Sequence, residues 1–230
     1  MTIAYPAPFD SFDFDGVYPP QHDSQLLIDT LEKTELARGR RILDLCTGSG
    51  VVAIAAAEFG AASVTALDIC PQAVRCSRGN AVHAGVDVDV REGSYSGALD
   101  FAPFDVIVSN PPYVPTPPDG DTEVIPMTAG PVWAWNAGVD GRSVLDPFCG
   151  SASSLLSDGG SLLLVQSTLS DVEKSVSALR ATGLDAEVIA SQLVPFGPVL
   201  SARAGWLEVT GRIQKGCRTE ELVVIRADKP

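Results

Sequence analysis

Arg41–Ala57 reads RILDLCTGSGVVAIAAA. Arg41–Leu45 is a short apolar run that reads as a strand. It gives way to Cys46-Thr47-Gly48-Ser49-Gly50, and then to a helix of small and apolar residues. Glycines at such a turn let a ligand approach the backbone closely. In an open parallel sheet the ligand sits at the carboxyl ends of the strands. The next strand ends in Asp68, within VTALDIC, 18 residues after Gly50. A carboxylate there can accept both hydroxyls of a ribose. That order also fits a dinucleotide enzyme. Two details favour S-adenosylmethionine. The turn lacks the G-x-G-x-x-G spacing, because Cys46 takes the first glycine place and Ala53 the last. Asp44, at the mouth of the first strand, suits a cationic amino-acid tail and repels a pyrophosphate. The bland alternative for both carboxylates is strand-end capping.

Working outward, strand and helix signals alternate. Strand-like runs cover Arg41–Leu45, Ser63–Asp68, Val86–Arg91, Phe104–Ser109, Ser161–Gln166, Ala186–Ala190 and Glu221–Ala227. Helical patterns cover Ser24–Ala37, Val51–Phe59, Pro71–Ala84, Arg142–Ser157 and Leu169–Thr182. Asp23-Ser24 offers an N-cap for the first helix and Pro71 a favourable start for the third. Such alternation predicts a parallel sheet with helices on both faces. Residues 1–22 read as irregular and 23–230 as a single domain, with 191–220 a long connection before the last strand. Residues 114–139, rich in proline, glycine and threonine, read as a long irregular loop, and such loops are usually functional or disordered.

The fourth strand, FDVIVSN, delivers Asn110-Pro111-Pro112-Tyr113 to the same carboxyl edge. Neither proline donates a backbone hydrogen bond, and Asn110 is pushed towards an extended conformation. The result is a stiff corner with free carbonyl oxygens. An amide or exocyclic amine nitrogen is a poor nucleophile, because its lone pair is delocalised. The side-chain oxygen of Asn110 and the carbonyl of Pro111 can each accept one of its N–H groups. Holding both turns the lone pair towards a sulfonium methyl, and charge building on nitrogen faces fixed dipoles. Tyr113 is expected to lie against the flat acceptor group. Asn-Pro is also a common turn start, so the tetrapeptide alone is half the signal. Its place on the fourth strand, after a glycine turn and a strand-end acid, supplies the rest.

Bulk properties limit the classes of partner. The formal net charge is −13, and duplex nucleic acid is usually gripped by a basic face. Four of the six basic residues beyond 190, Arg203, Arg212, Lys215 and Arg218, form a tail that reads as a solvated surface or a contact for an acidic partner. No run is long and apolar enough to span a membrane. The start, MTIAYPAPFDSFDFDG, does not read as a signal peptide. Five scattered cysteines without zinc-like spacing point to a reducing cytoplasm, and no metal site is expected from them or from His22 and His83.

These motifs resemble the HemK-type protein-glutamine N5-methyltransferases, and the resemblance covers nearly the whole chain. DLCTGSG is similar to the family's D-L-G-T-G-S-G, Asp68 matches its ribose ligand, and SNPPYV matches its catalytic motif. VYPPQHDSQLL and WNAGVDGRSVLD resemble the V-Y-E-P-A-E-D-T-F-L-L and W-A-G-G-x-x-G-R-x-V-x-D motifs of the short branch found in archaea and eukaryotes, without the N-terminal helical domain. Cys46 stands in place of a glycine, Ser94 where the family often has an aspartate near the adenine amine, and Pro19 and His22 in place of two glutamates. The resemblance implies a class I (Rossmann-like) sheet of seven strands, order 3-2-1-4-5-7-6, with strand seven antiparallel. It implies a cofactor site of Ser24, Asp44, Cys46, Thr47, Gly48, Gly50, Asp68, Ile69, Ser94 and Asn110, with Asn110, Pro111 and Tyr113 catalytic. It implies methylation of a protein glutamine, as in the Gly-Gly-Gln of a translation release factor, and a small activator subunit at the sheet edge formed by Val86–Arg91. Two other classes compete: an adenine N6-methyltransferase of nucleic acid, which uses the same tetrapeptide, and a non-catalytic cofactor-binding module.

Overall fold

The computed structural model describes residues 12, 14 and 16–230; most of the N-terminal stretch read as irregular therefore lies outside the described residues. Seven strands are β1 (Arg41–Leu45), β2 (Ser63–Asp68), β3 (Asp89–Glu92), β4 (Phe104–Ser109), β5 (Leu156–Ser167), β6 (Asp185–Pro195) and β7 (Thr219–Asp228). The helices are α1 (His22–Lys33), α2 (Val51–Glu58), α3 (Pro71–Ala84), α4 (Tyr95–Ala98), α5 (Leu145–Leu155), α6 (Val172–Ala181) and α7 (Pro198–Val209).

The strands form one sheet, β3-β2-β1-β4-β5-β7-β6, with β7 antiparallel to both neighbours. The expected order and the expected antiparallel strand are both present. Parallel central strands are covered on both faces, so they are built mainly of apolar residues, with Asp44 and Ser109 as buried polar exceptions near the carboxyl ends. β1 buries every residue after Arg41, and β4 buries all of its residues except Asp105. The chain runs from β1 outward to β3, then returns to β4 on the other side of β1. That reversal is the topological switch point, where a crevice opens at the carboxyl ends. The register there pairs Leu45 with Leu67 on one side and with Ser109 on the other. Asp44, Asp68 and Asn110 therefore reach a common edge.

Several boundaries differ from expectation for physical reasons. The first helix begins at His22, and its N-cap is Gln21, without a side-chain cap; Asp23 has other partners, described below. β3 starts at Asp89 rather than Val86, because the Val86 amide closes the end of α3 on the Ala81 carbonyl. The helix expected over Arg142–Ser157 is shorter at both ends. Arg142 is buried and donates to the carbonyls of Ser170 and Asp171 and to Ser175 Oγ, while Leu156 already pairs with Phe104 in the sheet. The helix expected from Leu169 splits into a 3-10 turn, Thr168–Ser170, and α6, capped by Asp171 Oδ1 on the Lys174 amide at 3.1 Å.

The stretch 191–220, read as a connection, carries the end of β6 and all of α7. Three of its four basic residues are engaged within the fold, and Lys215 is exposed. Arg203 is 1% exposed on Asp121, Arg212 lies over the Trp206 ring, and Arg218 pairs with Glu208.

Candidate active site

The crevice at the switch point is a cleft of about 330 Å³. Of the predicted cofactor residues, Ser24, Asp44, Cys46, Thr47, Gly48, Asp68, Ile69, Ser94 and Asn110 line it together, as do Pro111 and Pro112. The β1–α2 turn builds its floor. Asp44 Oδ2 accepts from Thr47 Oγ1 at 2.6 Å and from the Ala53 amide at 3.1 Å, and so fixes the turn. Among the described residues both of these donors fall on Oδ2, and none falls on Oδ1. Burial pushes the Asp44 carboxyl up to about 7; hydrogen bonds from Thr47 and Ala53 oppose the rise, and the Asp68 charge adds to it. Asp68 accepts from the Gly48 and Cys70 amides, each at 2.9 Å. Burial raises its carboxyl too, against those same amide bonds. Cys46 sits at φ 62, in the left-handed region where a glycine would be unstrained, and burial pushes its thiol up.

Two predicted residues lie elsewhere. Gly50 does not line the cleft. It opens α2 at φ 86, where an added Cβ would stand 2.3 Å from Ser77 Oγ of α3. Its need is for close helix packing. Tyr113 turns away from the cleft and is 7% exposed. Its hydroxyl donates to Asp23 Oδ2 at 3.0 Å, so the expected stacking against an acceptor group is replaced by a tether.

That tether belongs to a polar network behind the corner. Asp23 is buried and accepts from the Ser24 amide at 2.7 Å, from Tyr113, and from the Tyr18 hydroxyl at 3.3 Å. Ser24 Oγ lies 3.4 Å from Asp23 Oδ1 and accepts from Asn110 Nδ2 at 3.3 Å. With its N–H₂ engaged by Ser24, Asn110 keeps its side-chain oxygen for a ligand. The Pro111 carbonyl accepts no hydrogen bond from the described residues. Burial and the Asp23 charge hold the Tyr113 hydroxyl well above its usual range, so it remains a donor. A second cavity of about 50 Å³ lies beyond the tyrosines. Glu220 borders it, and burial pushes its carboxyl up to about 7.

Sequence reasoning missed several cleft residues. Tyr18 and Pro20 come from the segment before α1, Tyr95 from α4, Trp133 from the loop after the corner, and Phe148 from α5. Tyr18 and Asp23 stood inside the entry motif, which was the available signal. Arg203 had none. It donates to Asp121, the Pro115 carbonyl and Asn136, and it stacks on Trp135, pinning the loop that follows Tyr113.

The residues fit S-adenosylmethionine. Two carboxylates of different placement face one cleft, and a Cβ at Gly48 would meet no protein atom within 4 Å, so its backbone is open to a ligand. The sheet order and this site define a class I S-adenosylmethionine-dependent methyltransferase. Comparisons with known proteins narrow the class. The family model described as the methyltransferase small domain matches residues 19–122. A putative protein N5-glutamine methyltransferase of Methanocaldococcus jannaschii is 32% identical over 188 residues, covering 82% of this chain and 91% of the relative. The release factor glutamine methyltransferase of Deinococcus radiodurans is 37% identical over 177 residues, but this chain spans only 63% of its length. Among solved structures, the Mtq2–Trm112 complex of E. cuniculi, responsible for methylation of the eRF1 translation termination factor, matches with a TM-score of 0.61 at 20% identity, covering 93% of this chain and 98% of that one. The chain belongs to the HemK-type protein N5-glutamine methyltransferases.

Proposed function

We propose that the protein methylates the side-chain amide nitrogen of a glutamine in a protein substrate, with the Gly-Gly-Gln segment of a translation release factor as the first candidate. The observation that carries the reading is the hydrogen bond from Asn110 Nδ2 to Ser24 Oγ. It engages the Asn110 N–H₂ and so leaves the side-chain oxygen of this cleft residue for the acceptor, alongside the carbonyl of its cleft neighbour Pro111.

When bound, S-adenosylmethionine supplies an electrophilic methyl group on a sulfonium sulfur. Asp44 would face its cationic part and Asp68 its ribose, with Cys46, Thr47 and Gly48 as the floor and Ile69 and Ser94 near the base. Asn110 and Pro111 take the two N–H groups of the acceptor amide through fixed oxygens. Those dipoles orient the nitrogen lone pair towards the methyl and stabilise the positive charge that develops on nitrogen. Tyr113 acts through Asp23, holding the corner against α1. The nitrogen loses its proton after transfer, when it is far more acidic, so no strong base is required. The work of the site is positioning rather than acid–base chemistry.

The cytoplasm is the proposed location; among the described residues no helix is long and apolar enough to cross a membrane, and all five cysteines are free. A small activator subunit pairing along the β3 edge is part of the proposal. Its support is that the E. cuniculi neighbour is a two-protein complex and that β3 ends the sheet. The test is transfer of labelled methyl from S-adenosylmethionine to a release factor, with and without Gly-Gly-Gln changed to Gly-Gly-Ala. Label confined to the intact motif supports the reading. Label on nucleic acid, removed by nuclease, would refute it.

A further inference from the structure

We propose that the rim formed by residues 124–133 is the docking surface for the acceptor polypeptide, taking apolar side chains beside the acceptor glutamine and basic residues further out. This rests on the glutamine reading above and names how the substrate is gripped.

Four large apolar residues are left exposed within this short stretch: Val124 at 93%, Met127 at 96%, Val132 at 51% and Trp133 at 57%. Scattered exposed apolar residues need no explanation, but a cluster beside a functional cleft marks a surface that another molecule covers. The exposure is built in. Two 3-10 turns, Met127–Ala129 and Val132–Ala134, shape the rim, and Ala129 and Trp135 anchor it in a small core with Val199. At Gly130 an added Cβ would stand 2.8 Å from Tyr18 Cα, so the rim is pressed against the segment leading into α1. Arg203 holds the base of the loop through Asp121 and the Pro115 carbonyl. With its base and its small residues fixed inward, the large apolar side chains point outward.

The occupant follows from continuity and charge. Pro131, Trp133 and Ala134 line the same cleft as Asn110, Pro111 and Pro112, so a chain crossing the rim reaches the catalytic corner. Just before the rim stand Asp119 and Glu123, both exposed and outside any ion pair of the described residues, in a protein of net charge −13. A polypeptide with apolar residues next to the glutamine and Lys or Arg beyond them is complementary to both features. Electrostatic complementarity of this kind chiefly sets specificity and the rate of encounter.

The experiment uses the full chain, labelled S-adenosylmethionine and two synthetic peptides with the same Gly-Gly-Gln, one flanked by Leu and Lys, the other by Ser and Asp. The expected result is a kcat/KM at least about tenfold higher for the Leu/Lys peptide. That preference should collapse through KM in a Val124→Ser/Met127→Ser variant, whose affinity for the cofactor is unchanged, and should shrink in Asp119→Asn/Glu123→Gln with a weaker dependence on salt. Equal use of the two peptides, or a preference that survives both variants, overturns the docking proposal and leaves the glutamine reading standing. If the wild-type chain binds the cofactor but, both alone and with an activator subunit added, methylates neither peptide nor an intact release factor, the glutamine reading fails and the rim proposal with it. A concentration-dependent dimer abolished by Val124→Ser/Met127→Ser would mean that the rim is covered by a second copy, and also overturns the proposal.

Discussion

Asp44 should make binding of the cofactor depend on pH. Its carboxyl titrates near 7 in the free protein, because burial penalises the charge more than Thr47 and Ala53 stabilise it. Displacement from 3.8 to about 7 means that ionising Asp44 in the folded state costs about 4 kcal/mol relative to water. The sign follows directly. Below pH 7 the unliganded site holds a neutral acid; above it, an anion that suits a cation. A unit positive charge about 4 Å away, at an effective dielectric of about 20, contributes about 4 kcal/mol and returns the carboxyl to its ordinary range. Binding therefore releases close to one proton per ligand at pH 6 and only about a tenth of one at pH 8. The linkage makes affinity about tenfold weaker at pH 6 than at pH 8. Asp44→Asn is a near-isosteric probe, since its one amide oxygen can keep the bonds from Thr47 and Ala53 that now converge on Oδ2. Titration calorimetry of S-adenosylmethionine in buffers of different ionisation enthalpy reads the proton count. The wild type should show the slope. Asp44→Asn should bind more weakly at pH 8 and lose the slope. A flat wild-type profile, or an undiminished slope in Asp44→Asn, refutes the reasoning. The unliganded protein should also lose stability as pH rises from about 4 to 7 through this group, and saturating ligand should cancel that loss in thermal melts.

Other outcomes can be checked with standard assays. Asn110→Ala should lower kcat by about 10²–10³-fold, as loss of a fixed polar group at a developing charge does, with cofactor affinity changed only a few-fold; turnover near wild type would remove the proposed role of the corner. Tyr113→Phe keeps the ring but withdraws one of the donors to Asp23. It should cost about 1–3 kcal/mol of stability in urea melts, with kcat affected more than cofactor binding. Gly50→Ala should destabilise by at least about 1–2 kcal/mol, from the left-handed backbone and the clash with Ser77, without shifting the pH profile of binding. Arg203→Met should cost about 1–3 kcal/mol, because it withdraws a donor from the Pro115 carbonyl and from the Asn136 side-chain oxygen and frees the loop after Tyr113; a melt within a degree of wild type would mean that the loop is held by other contacts.

The sequence by itself determined the layered architecture and the positions of most cleft residues. Buried apolar stretches at Ile42-Leu43 and Val106–Val108 can be satisfied only between two helical layers, so the parallel sheet was legible. The glycine turn and the strand-end acids were legible because the local chain path puts them at carboxyl ends. Tertiary structure decided what depends on neighbours distant in sequence. Val86 looked like strand and became the closure of α3. The stretch 191–220 showed no pattern, yet α7 forms there with Arg203 buried on a loop more than eighty residues earlier, at Asp121. Burial of a charged side chain is paid in partners rather than in hydrophobicity, so periodicity gave no sign of it. Tyr113 and Asp23 show the same limit at the site. Local rules make one a stacking ring and the other a helix cap. Only packing of α1 against the corner after β4 brings them to 3.0 Å, turning both into the support that aims Asn110.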